Sequence, residues 1–356
     1  MPECTSVAAA PRLSVSVIVP VHQDGELFRR CLSSLARATP SPNEVILVAD
    51  GAGDSIGRLA KEFGFKSFKN LTGSGPARTR NAGALHARGD LLFFVDSDVT
   101  LPPDTIAKVQ TAFAQDPQPA AVIGSYDDKP AARNFLSQYK NLFHHYVHQN
   151  SNEEASTFWG ACGAIRRDIF LELGGFDEQY PRPCIEDIEF GIRIKKAGHR
   201  IRLFKMLQCK HLKKWGIRSL LKSDLFDRAL PWTELILRDH ALINDLNLRL
   251  SSRLSVALLF ASMSLLIAGF WRLELAAIAL ALFAALLAIN HRVYRFFFNK
   301  RGLWFMIKAI PWHCIYYLCC GLAVAVVLAR ALFKRVLAFS GRILTGNWIV
   351  WRRKSV

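Results

Sequence analysis

Residues 254–271 run for 18 positions without a charged side chain, and 275–289 adds 15 more after a break of only Arg272-Leu273-Glu274. A third uncharged run covers 309–329. A helix in a water-soluble core keeps one polar face, so helices apolar on every side over such lengths are expected in a membrane. The two shorter runs read as a tight helical hairpin. Three spans would put one basic flank, 291–308 or 330–354, on the outer side, against the tendency of Lys and Arg to stay inside. Either one run is re-entrant or the tail is an exception.

Charge follows the same division. From Ser251 onward there are 14 Lys and Arg against one acid, Glu274, within a total net charge of +17. The first 250 residues are nearly neutral. A basic segment that is also the most apolar one points to a membrane surface, not to nucleic acid. With 51% hydrophobic residues in 356, the chain fills a real core, which excludes a disordered tail or a small stapled domain. The eight cysteines include no C-x-x-C pair, so neither a disulfide framework nor a zinc site is expected. The opening stretch 1–11 has no apolar run behind a basic start and is not read as a secretory leader. The expected location is the cytoplasmic (inner) membrane, multi-pass, with the globular part facing the cytoplasm.

Ahead of residue 213, short β-branched or apolar runs alternate with amphipathic ones. Strands are expected at 14–21, 44–49, 64–68, 90–95 and 121–124, with helices at 26–38, 55–63, 78–87, 133–149, 167–173 and 185–197. That alternation predicts an α/β sheet, mostly parallel, covered by helices on both faces. Residues 215–249 read as one amphipathic helix with aromatic and basic residues interleaved, suited to a membrane interface. The domain boundaries drawn from this pattern are 1–212 for the globular body, 213–253 for an interfacial connector, 254–330 for membrane helices and 331–356 for a basic tail.

The sharpest chemical feature is Phe94-Val95-Asp96-Ser97-Asp98, two carboxylates where a buried strand runs out. Ligands bind beyond the carboxyl ends of strands in such sheets. Paired carboxylates there either join on a hard divalent ion, which favours one or two carboxylates plus phosphate oxygens, or cap the next helix. Glu186-Asp187-Ile188-Glu189 opens a helix behind Pro181 and Pro183; such acids either cap the helix or supply a general base. Asp50 ends the second strand, and Gly51-x-Gly53-x-x-x-Gly57 after it is only a weak dinucleotide fingerprint. Asp50 suits a nucleotide base or ribose better. The loop 73–78 leads into a helix bearing Arg78 and Arg80, a setting for a diphosphate. His211 is read as structural or as a group near the metal and diphosphate. The cluster His144, His145 and His148 is read as a wall or solvated face before a metal site.

In chain order these pieces are Val17-Ile18-Val19-Pro20-Val21, Leu32-Ser33-Ser34-Leu35, Val48-Ala49-Asp50-Gly51, 75–83 (GPARTRNAG), Asp96-Ser97-Asp98, Gly174-Gly175-Phe176-Asp177-Glu178 and Glu186-Asp187. Together, over about residues 13–212, they resemble the family 2 glycosyltransferases of GT-A fold. The resemblance implies transfer of a sugar from a UDP- or GDP-sugar, with inversion and a divalent metal, Mn²⁺ or Mg²⁺. It implies Asp98 as the direct metal ligand with Asp96 beside it on metal and diphosphate, and Asp187 as the base for the acceptor hydroxyl. Pro20, Asp50, Arg80, Glu186 and His211 would lie at the substrate. Family members often carry two acids where Ala49-Asp50 stands, so one is lost here. The Gln-x-x-Arg-Trp motif of processive polysaccharide synthases is missing, and Arg228-Ala229-Leu230-Pro231-Trp232 is the nearest feature.

Fusing such a domain to membrane helices makes sense if the acceptor is a membrane lipid or lipid-linked intermediate. The alternatives are a polysaccharide-chain synthase and a non-catalytic nucleotide-sugar-binding membrane protein. A transporter fits worse, because the apolar runs are few and hold no charges to mark a pathway.

Overall fold

The computed structural model describes residues 12–51, 55–70, 75–239 and 243–344. Val15, Val17, Ile18 and Val19 are all fully buried, which is what a β-branched run between two helix layers predicts. Strands β1 (Val15–Val21), β2 (Glu44–Asp50), β3 (Lys66–Asn70) and β4 (Leu91–Val95) alternate with helices α1 (Glu26–Ala36), α2 (Ser55–Phe63) and α3 (Gly75–His86). The four strands pair in parallel, β3-β2-β1-β4. α1 buries Phe28, Cys31, Leu32 and Leu35, the i, i+3, i+4, i+7 stripe of an amphipathic helix.

Beyond β4 the chain forms β5 (Val99–Thr100), α4 (Thr105–Gln115), β6 (Ala121–Tyr126), α5 (Phe135–Gln149), β7 (Glu154–Ala155) and β8 (Cys162–Arg166). α6 (Arg167–Glu172), α7 (Glu186–Lys196) and β9 (Ile201–His211) follow. The full order is β3-β2-β1-β4-β8-β6-β9-β5, with β7 on β9. β8 runs antiparallel to both β4 and β6, which makes the sheet mixed, as a GT-A fold implies. The antiparallel pairing of β5 with β9 sets Val99 opposite His211.

The expected helix over 215–249 is shorter and interrupted. It runs as α8 (Ile217–Lys222), a π-helical turn (Ser223–Ala229) and α9 (Leu230–Asp239), and a 3-10 turn at Leu246–Leu248 follows. α9 holds to the globular body through Leu235 and Trp232, which pack on Ile185, Ile188 and Ile192.

Helices α10 (Leu250–Ala268) and α11 (Leu273–Ile289) form the expected hairpin, and α12 (His291–Arg301) bends away from α11 by 61°. α13 (Leu303–Leu344) continues through Pro311. By length and composition α10 and α13 are long and apolar enough to cross a membrane, and α11 with α12 passes as a bent pair. α10 and α13 meet at Gly321, where a Cβ would stand 2.1 Å from the Phe260 ring, so only hydrogen fits this crossing. Asn290 Nδ2 donates to Ser255 Oγ at 2.8 Å and Asn290 Oδ1 accepts from Tyr317 Oη at 2.8 Å, satisfying the amide between three helices.

Candidate active site

The site is built where β1, β2 and β4 end. Asp96 follows β4, and its Oδ1 accepts a 2.8 Å hydrogen bond from Arg80 Nη2; Arg80 Nη1 donates to Glu186 Oε1, also at 2.8 Å. Arg80 and Glu186 retain only 5% and 6% of their side-chain surface. Arg80 thus forks between β4 and the start of α7, with its guanidinium over the Phe176 ring at 5.5 Å. Burial opposes ionisation of Glu186, yet Arg80 and the Cys184 N–H hold it below the usual carboxylate range. Arg80 and Glu186, read from the sequence as substrate contacts, are here a buried pair that ties two walls of the site together.

Asp98 stands at the opposite wall. His211 Nε2 lies 3.4 Å from Asp98 Oδ2, and His211 Nδ1 is 2.8 Å from Asn141 Oδ1 on α5. An amide oxygen only accepts, so with this assignment Nδ1 carries the proton and Nε2 points its lone pair toward the carboxylate. That arrangement fits a cation between them, with Asn141 fixing the ring. Tyr126 stacks on His211 at 4.4 Å. Burial pushes against charge on Asp98; a protonated His211, donating from Nε2 where no other cation sits, and Lys213 hold its pKa down. Among the described residues no three His, Cys, Asp or Glu side chains converge as a metal group. The protein therefore offers two donors, Asp98 and His211, and a hard divalent ion there would complete its shell with diphosphate and water oxygens. The donors fit that ion on those terms. Asp96, expected beside it, has one oxygen committed to Arg80.

Asp187 sits in the first turn of α7, 5% exposed. Its Oδ2 accepts from the Gly160 N–H at 3.2 Å and its Oδ1 from the Ile188 N–H at 2.9 Å, while Arg228 Nη1 lies 3.6 Å from Oδ1. Burial raises its pKa, Arg228 opposes the rise, and neighbouring Glu186 adds to it. Gly191 lets α7 approach so closely: a Cβ there would meet the Phe158 nitrogen at 2.1 Å.

Asp50 Oδ2 accepts from the Gly75 N–H at 3.1 Å, and His22 Nδ1 is 3.9 Å away. Gly75 opens α3 at φ +82°, a conformation that only glycine adopts without strain. Pro20 lies on β1 opposite Val48. Residues Gly53, Asp54, Gly73 and Ser74 of the two glycine loops lie outside the described residues.

Asp96, Asp98, Asp187 and His211 all line one cavity of about 870 Å³. Lys140, Asn141 and Arg228, also in its lining, are not candidates in the sequence. Lys140 and Asn141 come from α5, and Lys140 pairs with Asp224 of the π-helical turn. Arg228, noted only as the remnant of a missing motif, comes from the same turn, whose wider spacing aims it inward. His144 and His148 line the cavity with Trp159, and burial keeps both neutral. The same cavity is also lined by apolar side chains of α9 and α13, among them Ile236, Leu237, Val324 and Leu328.

Comparison with known proteins agrees with this architecture. Residues 16–174 match glycosyl transferase family 2, and 141–215 match a family described as the N-terminal domain of galactosyltransferase. A glucosyl-dolichyl phosphate glucuronosyltransferase of Haloferax volcanii is 27% identical over 217 residues, 56% of this chain and 69% of the relative. The O-antigen chain rhamnosyltransferase RfbN of Salmonella typhimurium is 24% identical over 237 residues, 62% of this chain and 75% of the relative. The mannosyltransferase PcManGT of Pyrobaculum calidifontis, solved with GDP-Man and Mn²⁺, superposes with a TM-score of 0.55 at 21% identity, covering 88% of each chain. The N-terminal domain, of GT-A fold, matches the family 2 glycosyltransferases over residues 16–174.

Proposed function

We propose that the enzyme transfers a single sugar, with inversion, from a UDP- or GDP-sugar to a membrane lipid or lipid-linked acceptor. The observation that carries this reading is the cavity continuous from Asp98 and Asp187 to the apolar faces of α9 and α13. A soluble acceptor needs no such apolar lining, whereas a lipid does. The name of the Haloferax relative, which contains dolichyl phosphate, and the nucleotide sugar held by the Pyrobaculum neighbour point the same way.

The roles follow from the geometry. Asp98 and His211 would hold a divalent ion on the donor diphosphate, where it would neutralise charge building on the departing nucleotide. Pro20 and Asp50 sit at the strand ends where the nucleoside would lie. Arg80 and Glu186 position Asp96 and Asp187 from behind. Asp187 would take the acceptor proton from the face opposite the leaving group, as single displacement with inversion requires.

The test is nucleoside-diphosphate release by membranes containing the protein, scanned over UDP- and GDP-sugars with native lipid extract as acceptor. Chelation should abolish release, and Mn²⁺ or Mg²⁺ should restore it. Asp98→Ala should cost at least about 100-fold, because an ion at the leaving group supplies several kcal/mol. Release that is indifferent to chelator and to Asp98 would end the metal assignment. Val324→Trp, which intrudes on the apolar lining of the cavity, should raise KM for the lipid about tenfold and leave the donor KM alone. Equal effects on both KM values would remove the lipid from that lining.

A further inference from the structure

α13 is apolar enough to cross a bilayer, but its contacts describe a helix lying down. Near its start, Phe305 packs on Phe135 of α5 at 5.0 Å between ring centroids, and Ala309 joins the cluster of Tyr139, Leu142 and Phe143. One turn on, His313 and Tyr316 both meet Phe143, at 4.9 and 5.3 Å. Further on, α13 is in contact with α9, and Val324 and Leu328 line the same cavity as Ile236 and Leu237 of α9. Arg330 then pairs with Glu234 of α9 at 3.2 Å. α9 itself packs on α7, and Asp239 at its end pairs with Lys196 in the last turn of α7 at 3.0 Å.

From Phe305 to Arg330 the helix rises about 37 Å at 1.5 Å per residue. Both ends of that stretch are tied to one globular domain. The hydrocarbon of a bilayer is about 30 Å thick. Set across it, this stretch would carry one tethered edge of the domain into or through the lipid. One edge bears the pairs of Lys300 with Asp128 and Lys140 with Asp224, the other those of Lys196 with Asp239 and Lys195 with Glu154. Neither set of charges is compatible with lipid. The remaining 14 residues of α13 rise about 21 Å, too short to cross, and contain Lys334, Arg335 and Arg342.

We infer that α13 lies in the plane of the leaflet beneath the catalytic domain and that only the α10–α11 hairpin crosses the bilayer. The surface that meets the leaflet is α12 together with the outward side of α13. It exposes Trp304, Leu332 and Phe333, and it carries Arg292, Arg295, Lys308, Lys334 and Arg335. No acid occurs anywhere in 291–335, so the partner it fits is an anionic lipid surface. The hairpin suits two crossings. α10 rises about 28 Å over its 19 residues, and the turn exposes Phe270, Trp271 and Leu273 beside Arg272 and Glu274, side chains suited to the far headgroups. With two crossings both basic flanks remain on the catalytic side, which removes the conflict that three spans create.

The test uses the full chain with a different epitope tag at each end, in sealed membrane vesicles exposed to external protease. It needs no turnover, so its outcome is independent of the proposed reaction. The two tags should be cleaved together in vesicles of one orientation and protected together in the other. A C-terminal tag protected where the N-terminal one is cut would mean that α13 crosses, and would overturn the inference. In the same vesicles a membrane-impermeant maleimide should label Trp271→Cys, above the unsubstituted chain, only from the face opposite the tags. Labelling from the tags' own face would equally overturn it, because the hairpin would then be re-entrant.

Discussion

Asp187→Asn is expected to lower kcat about 10²- to 10⁴-fold, the usual contribution of a positioned general base, with the donor KM changed little. The substitution keeps the shape and removes the basic oxygen. It also makes one contact wrong, because the amide nitrogen must face either the Gly160 N–H or the Arg228 guanidinium, where Asp187 now offers acceptors. Burial first, and the adjacent Glu186 charge second, raise the Asp187 pKa above the ordinary carboxylate value of 3.8 against the pull of Arg228. The rate should therefore fall on acidification at a higher pH than an exposed Asp would give, and that acid limb should vanish in Asp187→Asn. Stability moves the opposite way. A group that binds its proton more tightly folded than unfolded costs stability where it is ionised, and this cost is relieved as pH falls through the raised pKa. Nucleoside-diphosphate release against pH, in wild type and variant, measures the loss of rate and the acid limb, and thermal unfolding against pH measures the stability. A loss below tenfold would mean that the acceptor arrives already ionised, as a phosphate does, and needs no base.

Much of this site is legible in the sequence because its parts are local. The Asp96-Ser97-Asp98 turn follows a run, 91–95, that can only be a buried strand, and all five of those residues are indeed buried. Asp187 opens a helix whose apolar spacing is plain. What the sequence hides is whatever depends on distant pairing. His211, a candidate in the sequence, reaches Asp98 because β9 pairs back on β5, a pairing the sequence does not show, since the alternation of β9 that would announce a strand is broken at Lys205-Met206. Lys140 and Asn141 sit on a helix whose polar and apolar positions both face something, so no face marks them as functional. Arg228 depends on a π-helical turn, which shifts side chains off the 3.6-residue spacing that sequence reading assumes. The α13 run shows the limit most clearly. Hydropathy reports that it tolerates lipid, and only the contacts of Phe305 and Arg330 with one domain report its direction.

Arg80→Ala is the substitution expected to cost the most stability, about 3–5 kcal/mol, because it leaves the buried Glu186 carboxylate without its cation. Arg80 is 4% exposed and serves Asp96 and Glu186 at once, and Asp187 adds a third carboxylate beside Glu186. With the guanidinium gone, Glu186 either ionises unpaired or takes up a proton, and both routes weaken the hold of β4 on α7. For a domain of some 200 residues that loss lowers Tm by roughly 10 °C. Arg80→Lys should recover only part of it, since one ammonium cannot fork to two acids on different elements. Arg80→Ala combined with Glu186→Gln should recover more, because the charge that suffers most is then removed as well. Thermal unfolding of the detergent-solubilised protein reads all three variants. A Tm within about 3 °C of wild type for Arg80→Ala would mean that water reaches Glu186 as well and that the fork does not hold the walls together. If the fork does hold them, activity should fall in Arg80→Ala well below its unfolding temperature, because the distance between the Asp96 turn and Asp187 is then no longer fixed.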